Sequence, residues 1–304
     1  MKIGTTGIIF NEFTQVLLMQ RDDTRTWSLP GGALDAGELP TDGVAREVRE
    51  ETGLIVLPAR LVALTYLPAR REPGLIFSFR CIQRGGEIAT SAESPQVGWF
   101  PTRPLPRILL SAQRHRVQQA FHHAGGPPAL LVEEPDLLYR AGRLLLRRVV
   151  YPYKDWRLAR RGQPPFQPAP PWQISVLAAL RSEAGQVVWR RRLADNQWQL
   201  PGGDGRQGEA PWVTAARLAR EATGLDVGPL ALSDVTVIEK GNRMVLTFTA
   251  VVQEPLPTAV CTYFTPGQEP PDAAPEHRPH ATAACQFTGA PQFLQGLTPT
   301  LSSA

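Results

Sequence analysis

The sequence predicts a protein of the mixed α/β (α+β) class with two domains. Three observations support this: the chain has 304 residues, 42% of them are hydrophobic and 20% charged, and the second half repeats the pattern of the first. That length is about two domains' worth, and the composition is that of an ordinary globular protein. Two separate cores can therefore form.

An internal repeat sets the number of domains. Residues 27–32 read Trp-Ser-Leu-Pro-Gly-Gly, and residues 198–203 read Trp-Gln-Leu-Pro-Gly-Gly, 171 positions later. The same offset, without a gap, links further identical pairs: Val16 and Val187, Glu38 and Glu209, Arg46 and Arg217, Glu50 and Glu221, Gly53 and Gly224, Phe77 and Phe248. Such regularity over a long span indicates a tandem duplication.

Each copy has the same order of predicted elements. A hairpin is expected before each Pro-Gly-Gly, from residues 6–10 and 16–19 in the first copy and from 174–180 and 187–189 in the second. A helix should follow, and then a β-rich stretch, which in the first copy comprises residues 61–67, 74–81 and 97–100. A further helix is expected there from about 107 to 122. Each copy is thus a mixed α/β unit.

The segments outside the repeats are predicted from composition. Residues 125–171 begin with Gly-Gly-Pro-Pro and end in a proline-rich run, so a linker is expected. Within it, apolar residues at helical spacing among arginines predict a basic amphipathic helix over about 136–149, which packs between the domains or, alternatively, contacts a membrane or RNA. The tail, 266–304, is expected to be largely irregular. The predicted domains are therefore 1–124 and 172–265.

Charge and cysteine usage argue against several classes of protein. The net charge is only +4, and none of the three cysteines, Cys81, Cys261 and Cys285, belongs to a C-x-x-C pair. Neither a disulfide framework nor a zinc site is therefore expected, and Cys81 reads as a buried strand residue. No apolar run reaches the roughly 18 residues of a membrane span. With no signal-peptide pattern at the N-terminus, a cytoplasmic location is expected.

One stretch carries the chemistry and forms a loop, a helix and a stop. Its spacing is Gly32-x5-Glu38-x7-Arg46-Glu47-Val48-Arg49-Glu50-Glu51-Thr52-Gly53-Leu54. Pro40 suits the first turn of a helix, and Gly53 suits the left-handed residue that ends one. Glu47, Glu50 and Glu51 crowd one edge of this helix, where they repel one another unless cations lie among them. Such oxygen ligands are preferred by Mg²⁺ and Mn²⁺.

This stretch, residues 32–54, resembles the Nudix box at every defined position. With the Trp-x-Leu-Pro-Gly-Gly segment before it and Trp99-Phe100-Pro101 after it, the resemblance covers most of residues 3–122. It implies the Nudix fold, a mixed β-sheet sandwiched between helices. It also implies a hydrolase of nucleoside diphosphate derivatives that depends on Mg²⁺, for which Mn²⁺ can substitute.

The resemblance also implies roles for individual residues. The implied metal ligands are the carbonyl of Gly32 and the side chains of Glu38, Glu47, Glu50 and Glu51. Arg46 would orient these glutamates through charge-assisted hydrogen bonds. Relatives often supply a further acidic residue as base or ligand, and Glu93, seven residues before Phe100, is the candidate here. Which carboxylate accepts the proton stays open.

The second copy departs from this pattern. Leu218 and Ala222 occupy the positions of Glu47 and Glu51, and only Glu221 remains of the three glutamates. One carboxylate is a poor site for several cations. We therefore expect a folded domain with weak or no hydrolytic activity, kept for nucleotide binding, packing or regulation.

The substrate is predicted less sharply than the reaction. Nucleoside triphosphates, including oxidised ones, are the first expectation, and ADP-ribose or a nucleotide sugar is the alternative. Two other functions are a nucleotide-sensing regulator without turnover and a pyrophosphohydrolase of RNA 5′ ends, the latter based on the basic central helix alone. No helix-turn-helix pattern is present, so DNA is not an expected partner, and the oligomeric state stays open.

Overall fold

The computed structural model describes residues 1–68, 73–106, 109, 111–134, 148, 151–160, 171–228, 230–238, 242–252 and 260–296. Its helices are α1 (Pro40–Thr52), α2 (Ser111–His122), α3 (Tyr151–Arg160), α4 (Pro211–Thr223), the 3₁₀ turn Pro275–His277 and α5 (Arg278–Cys285). Strands of the first half are β1 (Lys2–Ile9), β2 (Gln15–Gln20), β3 (Trp27–Ser28), β4 (Leu54–Leu67), β5 (Gly74–Gly86), β6 (Gln96–Pro101) and β7 (Ala129–Val132). Strands of the second half are β8 (Gln173–Arg181), β9 (Val187–Arg191), β10 (Trp198–Gln199), β11 (Gly202–Asp204), β12 (Ala231–Ile238), β13 (Arg243–Val251), β14 (Cys261–Phe264) and β15 (Gln292–Gly296).

The first half contains two sheets. A four-stranded mixed sheet has the order β1-β5-β4-β7, and a three-stranded antiparallel sheet has the order β3-β2-β6. The hairpin predicted for residues 6–19 is therefore wrong, since β1 and β2 meet only at one bridge between Phe10 and Val16. The polar turn reverses the chain as expected, but β1 forms its ladder with β5 and β2 forms its ladder with β6.

Two helices cover opposite faces of the four-stranded sheet. Ile9 belongs to the same buried cluster as Val44 and Val48 of α1, whereas Ile8 clusters with Val117 and Ala120 of α2. Because successive residues of a strand point to opposite faces, α1 and α2 lie on opposite sides. The predicted sheet between helices is confirmed for this half.

The second half repeats this sandwich around one eight-stranded sheet, whose main order is β10-β9-β8-β13-β12-β15. Ala178 clusters with Ala215 and Ala219 of α4, while its neighbour Ala179 clusters with Ala281 of α5. The two helices therefore cover opposite faces here as well.

Short edge strands change the predicted boundaries. Strand β7 lies beyond residue 124 yet pairs with β4, and Glu133 follows it with a backbone hydrogen bond to Tyr66. The expectation of a largely irregular tail from 266 is wrong for α5 and β15, because α5 buries its alanines on the sheet and β15 pairs with β12. Both β4 and β12 would otherwise leave an unpaired edge.

The linker is only partly described. The predicted basic helix at 136–149 lies outside the described residues, apart from residue 148, and α3 follows it at 151–160. In the described ranges no helix has the length and apolar character that crossing a bilayer requires.

Candidate active site

Helix α1 begins and ends as its sequence predicts. Pro40 occupies the first turn, where its missing N–H costs nothing, and Gly53 adopts a φ of +75° while its N–H bonds to the carbonyl of Arg49. Val44 and Val48 are buried against the sheet. The remaining side of the helix is thereby directed to the loop that precedes it.

Arg46 lies at the centre of an acidic network. Its Nε and Nη2 atoms donate to the two oxygens of Glu38, at 2.8 and 2.9 Å. Its Nη1 atom donates to Glu47 at 3.0 Å and to Glu50 at 3.2 Å, and Nη2 also reaches the carbonyl of Ala33. Burial would raise the pKa of Glu38, but the hydrogen bonds from Arg46 and from the Asp35 amide outweigh it and hold the pKa below its usual value. The structure thus brings the predicted arginine and three predicted glutamates together.

Glu51 is the most enclosed of the predicted acids. Its Oε2 atom accepts a hydrogen bond from the backbone N–H of Gly31 at 2.7 Å. Burial, together with the nearby carboxylate of Glu47, raises the pKa of Glu51 to about 8. Only 7% of the residue is exposed. The N–H of Gly31 and the charge of Arg21 lower this pKa, but they do not outweigh burial.

Glu47 lies directly over a glycine. A Cβ placed on Gly32 would be 2.5 Å from the Cδ and Oε1 atoms of Glu47, so a side chain at that position would displace the Glu47 carboxylate. Burial raises the pKa of Glu47 despite its contact with Arg46. The carbonyl of Gly32, a predicted ligand, accepts the N–H of Thr5 at 2.8 Å, which occupies one of its two lone pairs.

Glu93 approaches the site from another loop. The backbone N–H of Asp22 donates to the carbonyl of Glu93 at 3.0 Å, which joins the turn after β2 to the loop before β6. The exposed carboxylate of Glu93 is close enough to raise the pKa of Glu51, and the guanidinium of Arg21 is close enough to lower it.

The donor set fits a hard divalent cation. Glu47 and Glu51 are desolvated carboxyl groups whose pKa values are raised chiefly by burial, and oxygen ligands of this kind suit Mg²⁺ or Mn²⁺. Among the described residues no three His, Cys, Asp or Glu side chains are already grouped closely enough to hold a metal ion. The reason is visible in the contacts, since Arg46 binds Glu38, Glu47 and Glu50 while Glu51 binds Gly31.

Comparison with known proteins decides the family. The family model described as NUDIX domain matches residues 2–120 and again residues 171–290. The chain belongs to the Nudix family. It is therefore a Nudix hydrolase with two Nudix domains in tandem, from a family that acts on nucleotides and generally uses a divalent metal.

Individual relatives match a stretch of this chain about as long as one Nudix domain. A MutT-like protein of Streptomyces ambofaciens is 35% identical over 123 residues, which is 40% of this chain and 79% of that protein. A putative 8-oxo-dGTP diphosphatase of Bacillus subtilis is 29% identical, over 48% of this chain and 96% of that protein. An ADP-ribose pyrophosphatase of Methanocaldococcus jannaschii is 28% identical, over 37% of this chain and 69% of that protein.

The second Nudix domain keeps the scaffold of the box but lacks the counterparts of Glu47 and Glu51. Arg217 binds both oxygens of Glu209 at 2.9 Å and also contacts Glu221, as Arg46 does with Glu38 and Glu50. A Cβ on Gly203 would meet Leu218 at 3.5 Å. Hydrocarbon therefore occupies the place that Glu47 fills in the first domain, and Ala222 is buried.

Two contributors to the first site were not predicted from the sequence. Gly31 supplies the N–H that binds Glu51, and Arg21 supplies positive charge near the same carboxylate. A signal for both was available, since Gly31 and Arg21 recur at the repeat offset as Gly202 and Arg192.

Proposed function

We propose that the first Nudix domain hydrolyses a phosphoanhydride bond of a nucleoside diphosphate derivative, with Mg²⁺ as the cofactor. One observation carries the proposal: Glu47 and Glu51 are two desolvated carboxyl groups next to the Gly31-Gly32 turn, and the pKa of each is raised although Arg46 contacts the first and Arg21 lies near the second. Pairs of titratable groups whose environment shifts their pKa values are typical of reactive sites.

The metal would be held by the side chains of Glu47, Glu50 and Glu51, with Glu38 and the carbonyl of Gly32 completing the set. Arg46 would keep Glu38 through its two parallel hydrogen bonds and so maintain the shape of the loop. Its single bonds to Glu47 and Glu50 are the ones that a cation would replace.

The reaction requires negative charge on the phosphates to be neutralised and a water molecule to be activated. When bound, divalent cations supply both, because they stabilise phosphate oxygens and lower the pKa of water. The chain's own residues shape the site: Gly31 holds Glu51 by its N–H, and Arg46, through its two bonds to Glu38, holds the loop that faces the other glutamates. Glu93, exposed and near Glu51, is our candidate for the additional acidic residue.

Nucleoside triphosphates, including oxidised ones, are the proposed substrates, and the products would be the nucleoside monophosphate and pyrophosphate. The support is the name of the relative from Bacillus subtilis, which is a putative 8-oxo-dGTP diphosphatase and is covered over 96% of its length. The relative from Methanocaldococcus jannaschii favours ADP-ribose as the alternative substrate class. The predicted cytoplasmic location remains a prediction.

A substrate panel tests this function. The full-length protein with Mg²⁺ is incubated with dGTP, 8-oxo-dGTP, ADP-ribose and a nucleotide sugar, and the nucleoside monophosphate released is quantified. We expect turnover with a triphosphate that stops in excess chelator. Binding of nucleotides without turnover of any of them would contradict an enzyme and favour a sensor.

A further inference from the structure

The two domains of the chain meet at equivalent positions of the repeat. The N-terminal ammonium of Met1 donates to the carbonyl of Trp172 at 2.7 Å, and the N–H of Trp172 donates to the carbonyl of Met1 at 2.7 Å. These residues are 171 positions apart, which is the repeat offset. Met1 and Trp172 thus occupy equivalent positions in the two domains and bond to each other. An approximate two-fold axis therefore relates the two domains at this contact, as in a symmetric dimer.

Around this contact, strand β15 of the second domain reaches the first. The rings of Phe293 and Phe79 are 5.5 Å apart, and Nε2 of Gln295 donates to the carbonyl of Gly37 at 3.1 Å. Residues two apart on a strand share one face, so both contacts come from the same side of β15. The strand is thus held on the first domain at two points.

Gly37 belongs to the turn that supports the acidic network. It adopts a φ of +75°, which L residues rarely adopt, and it immediately precedes Glu38. Two hydrogen bonds close the turn. The N–H of Glu38 donates to the carbonyl of Asp35, and the N–H of Asp35 donates to the carboxylate of Glu38. Glu38 in turn holds Arg46. Gln295 is therefore linked to α1 through its hydrogen bond to Gly37, the peptide bond between Gly37 and Glu38, and the hydrogen bonds between Glu38 and Arg46.

The hydrogen bond from Gln295 has no counterpart from the equivalent position of β7 in the first domain. Asp234 pairs with Gln292 as Ala63 pairs with Ala129, so Gln295 of β15 corresponds to Val132 of β7. Val132 has no side-chain donor and is 56% exposed. The approximate symmetry is broken at this position. Gln295 donates to the loop of the first domain, whose Nudix box keeps all its glutamates.

We propose that Gln295 is a positioning residue for the active site of the first domain, supplied by the second domain. The inference rests on the proposed metal-dependent function of that site. By holding the carbonyl of Gly37, Gln295 keeps the loop in the shape in which Glu38 and Arg46 align the metal-binding glutamates. The second domain then contributes to catalysis without a metal site of its own.

The test compares two glutamine variants of the same strand in the full-length chain. Gln295→Met keeps length and neutrality but removes the donor, and Gln292→Met is the matched control, because Gln292 donates within its own domain, to Gln286. Three quantities are measured: Mn²⁺ affinity without substrate, amide exchange of residues 33–39 without metal, and kcat and KM.

For Gln295→Met we expect faster amide exchange in residues 33–39, about three- to tenfold weaker Mn²⁺ binding, and a similar loss in kcat with little change in KM, as for the loss of one hydrogen bond. Gln292→Met should match the wild type in all three. If Gln295→Met also matches the wild type, or only lowers the melting temperature, the positioning role is wrong while the proposed function stands. If the wild type binds no Mn²⁺ and turns over no nucleotide, both are wrong.

Discussion

The carboxylate of Glu51 accepts a hydrogen bond from the backbone N–H of Gly31 at 2.7 Å. This contact joins the Pro-Gly-Gly turn to the last turn of α1 in the first domain. Burial is the main cause that raises the pKa of Glu51 to about 8, so without metal its carboxyl group is mostly protonated at neutral pH. In the second domain Ala222 replaces this acid, so no carboxyl group is buried at the equivalent position.

Replacing Glu51 by glutamine should abolish most of the activity without unfolding the protein. Glutamine retains an oxygen that can accept the N–H of Gly31, but it removes a negative ligand, so we expect kcat to fall by about two orders of magnitude or more, by analogy with the loss of one electrostatic stabiliser. Turnover at saturating substrate and thermal unfolding in chelator measure both effects. A variant with near wild-type turnover would exclude Glu51 from the metal site.

Metal affinity should rise with pH. The pKa of Glu51 lies near 8 without metal, so its carboxylate form increases as the pH rises from 6 to 9. Below pH 8 the carboxyl group is mostly protonated, and a cation must displace that proton to bind. Calorimetric titration with Mn²⁺ in two buffers of different ionisation enthalpy should show tighter binding at pH 9 than at pH 6 and proton release at pH 6. An affinity that is flat across this range would contradict the raised pKa.

Acid should destabilise the second domain through a buried histidine. Nδ1 of His277 accepts the N–H of Leu200 at 3.0 Å, and burial, with the charges of His280 and Arg192, lowers the pKa of His277 to about 3 from its ordinary 6.5. Between these values the unfolded chain binds the proton and the folded chain does not. The unfolding free energy is therefore unaffected above pH 6.5 and falls below it by about 1.4 kcal/mol per pH unit.

Urea unfolding at pH 7.5 and pH 4.5 tests this effect. His277→Asn keeps an acceptor for Leu200 and cannot titrate, so its stability should fall less than that of the wild type between the two pH values. His280 lies nearby and is bonded to Asp234, and it is unchanged in the variant. Equal losses in the two proteins would assign the acid sensitivity to other groups.

Strand β7 should contribute to the stability of the first domain although it lies beyond residue 124. Arg116 of α2 is buried and donates to Glu133, the residue after β7, at 2.9 Å. Glu133→Gln leaves the arginine without its charged partner, so we expect a loss of about 2 kcal/mol in unfolding free energy. Chemical denaturation of the full-length variant measures it, and a loss below about 0.5 kcal/mol, as for an ordinary surface change, would contradict the role of this pair.

Local signals predicted α1 well because they act within a few residues. Pro40 and Gly53 begin and end the helix through backbone conformation alone, and the resemblance to the Nudix box identified its acids. The two edge strands escaped prediction because pairing depends on the open edges of β4 and β12. Ala129 and Gln292 occupy equivalent registers but are 163 positions apart, so a gap-free repeat with an offset of 171 misses them.

The active site was predictable to the same extent. Glu47, Glu50 and Glu51 lie on one helix and are brought together by helical spacing. Gly31, in contrast, reaches Glu51 only when the turn folds back on that helix. Gln295 is 258 positions from Gly37, and only the packing of the two domains brings them together. The predicted hairpin was wrong for a related reason, since the choice of partner strand depends on the whole sheet.

The central claim is that the first domain carries out the hydrolysis and the second does not. Glu50 and Glu221 are equivalent residues that bind equivalent arginines, Arg46 and Arg217, so Glu50→Gln and Glu221→Gln remove the same group from each box. Release of nucleoside monophosphate by the two full-length variants with Mg²⁺ is the direct comparison. We expect Glu50→Gln to lose about two orders of magnitude in kcat and Glu221→Gln to match the wild type, whereas equal losses, or a loss confined to Glu221→Gln, would contradict the claim.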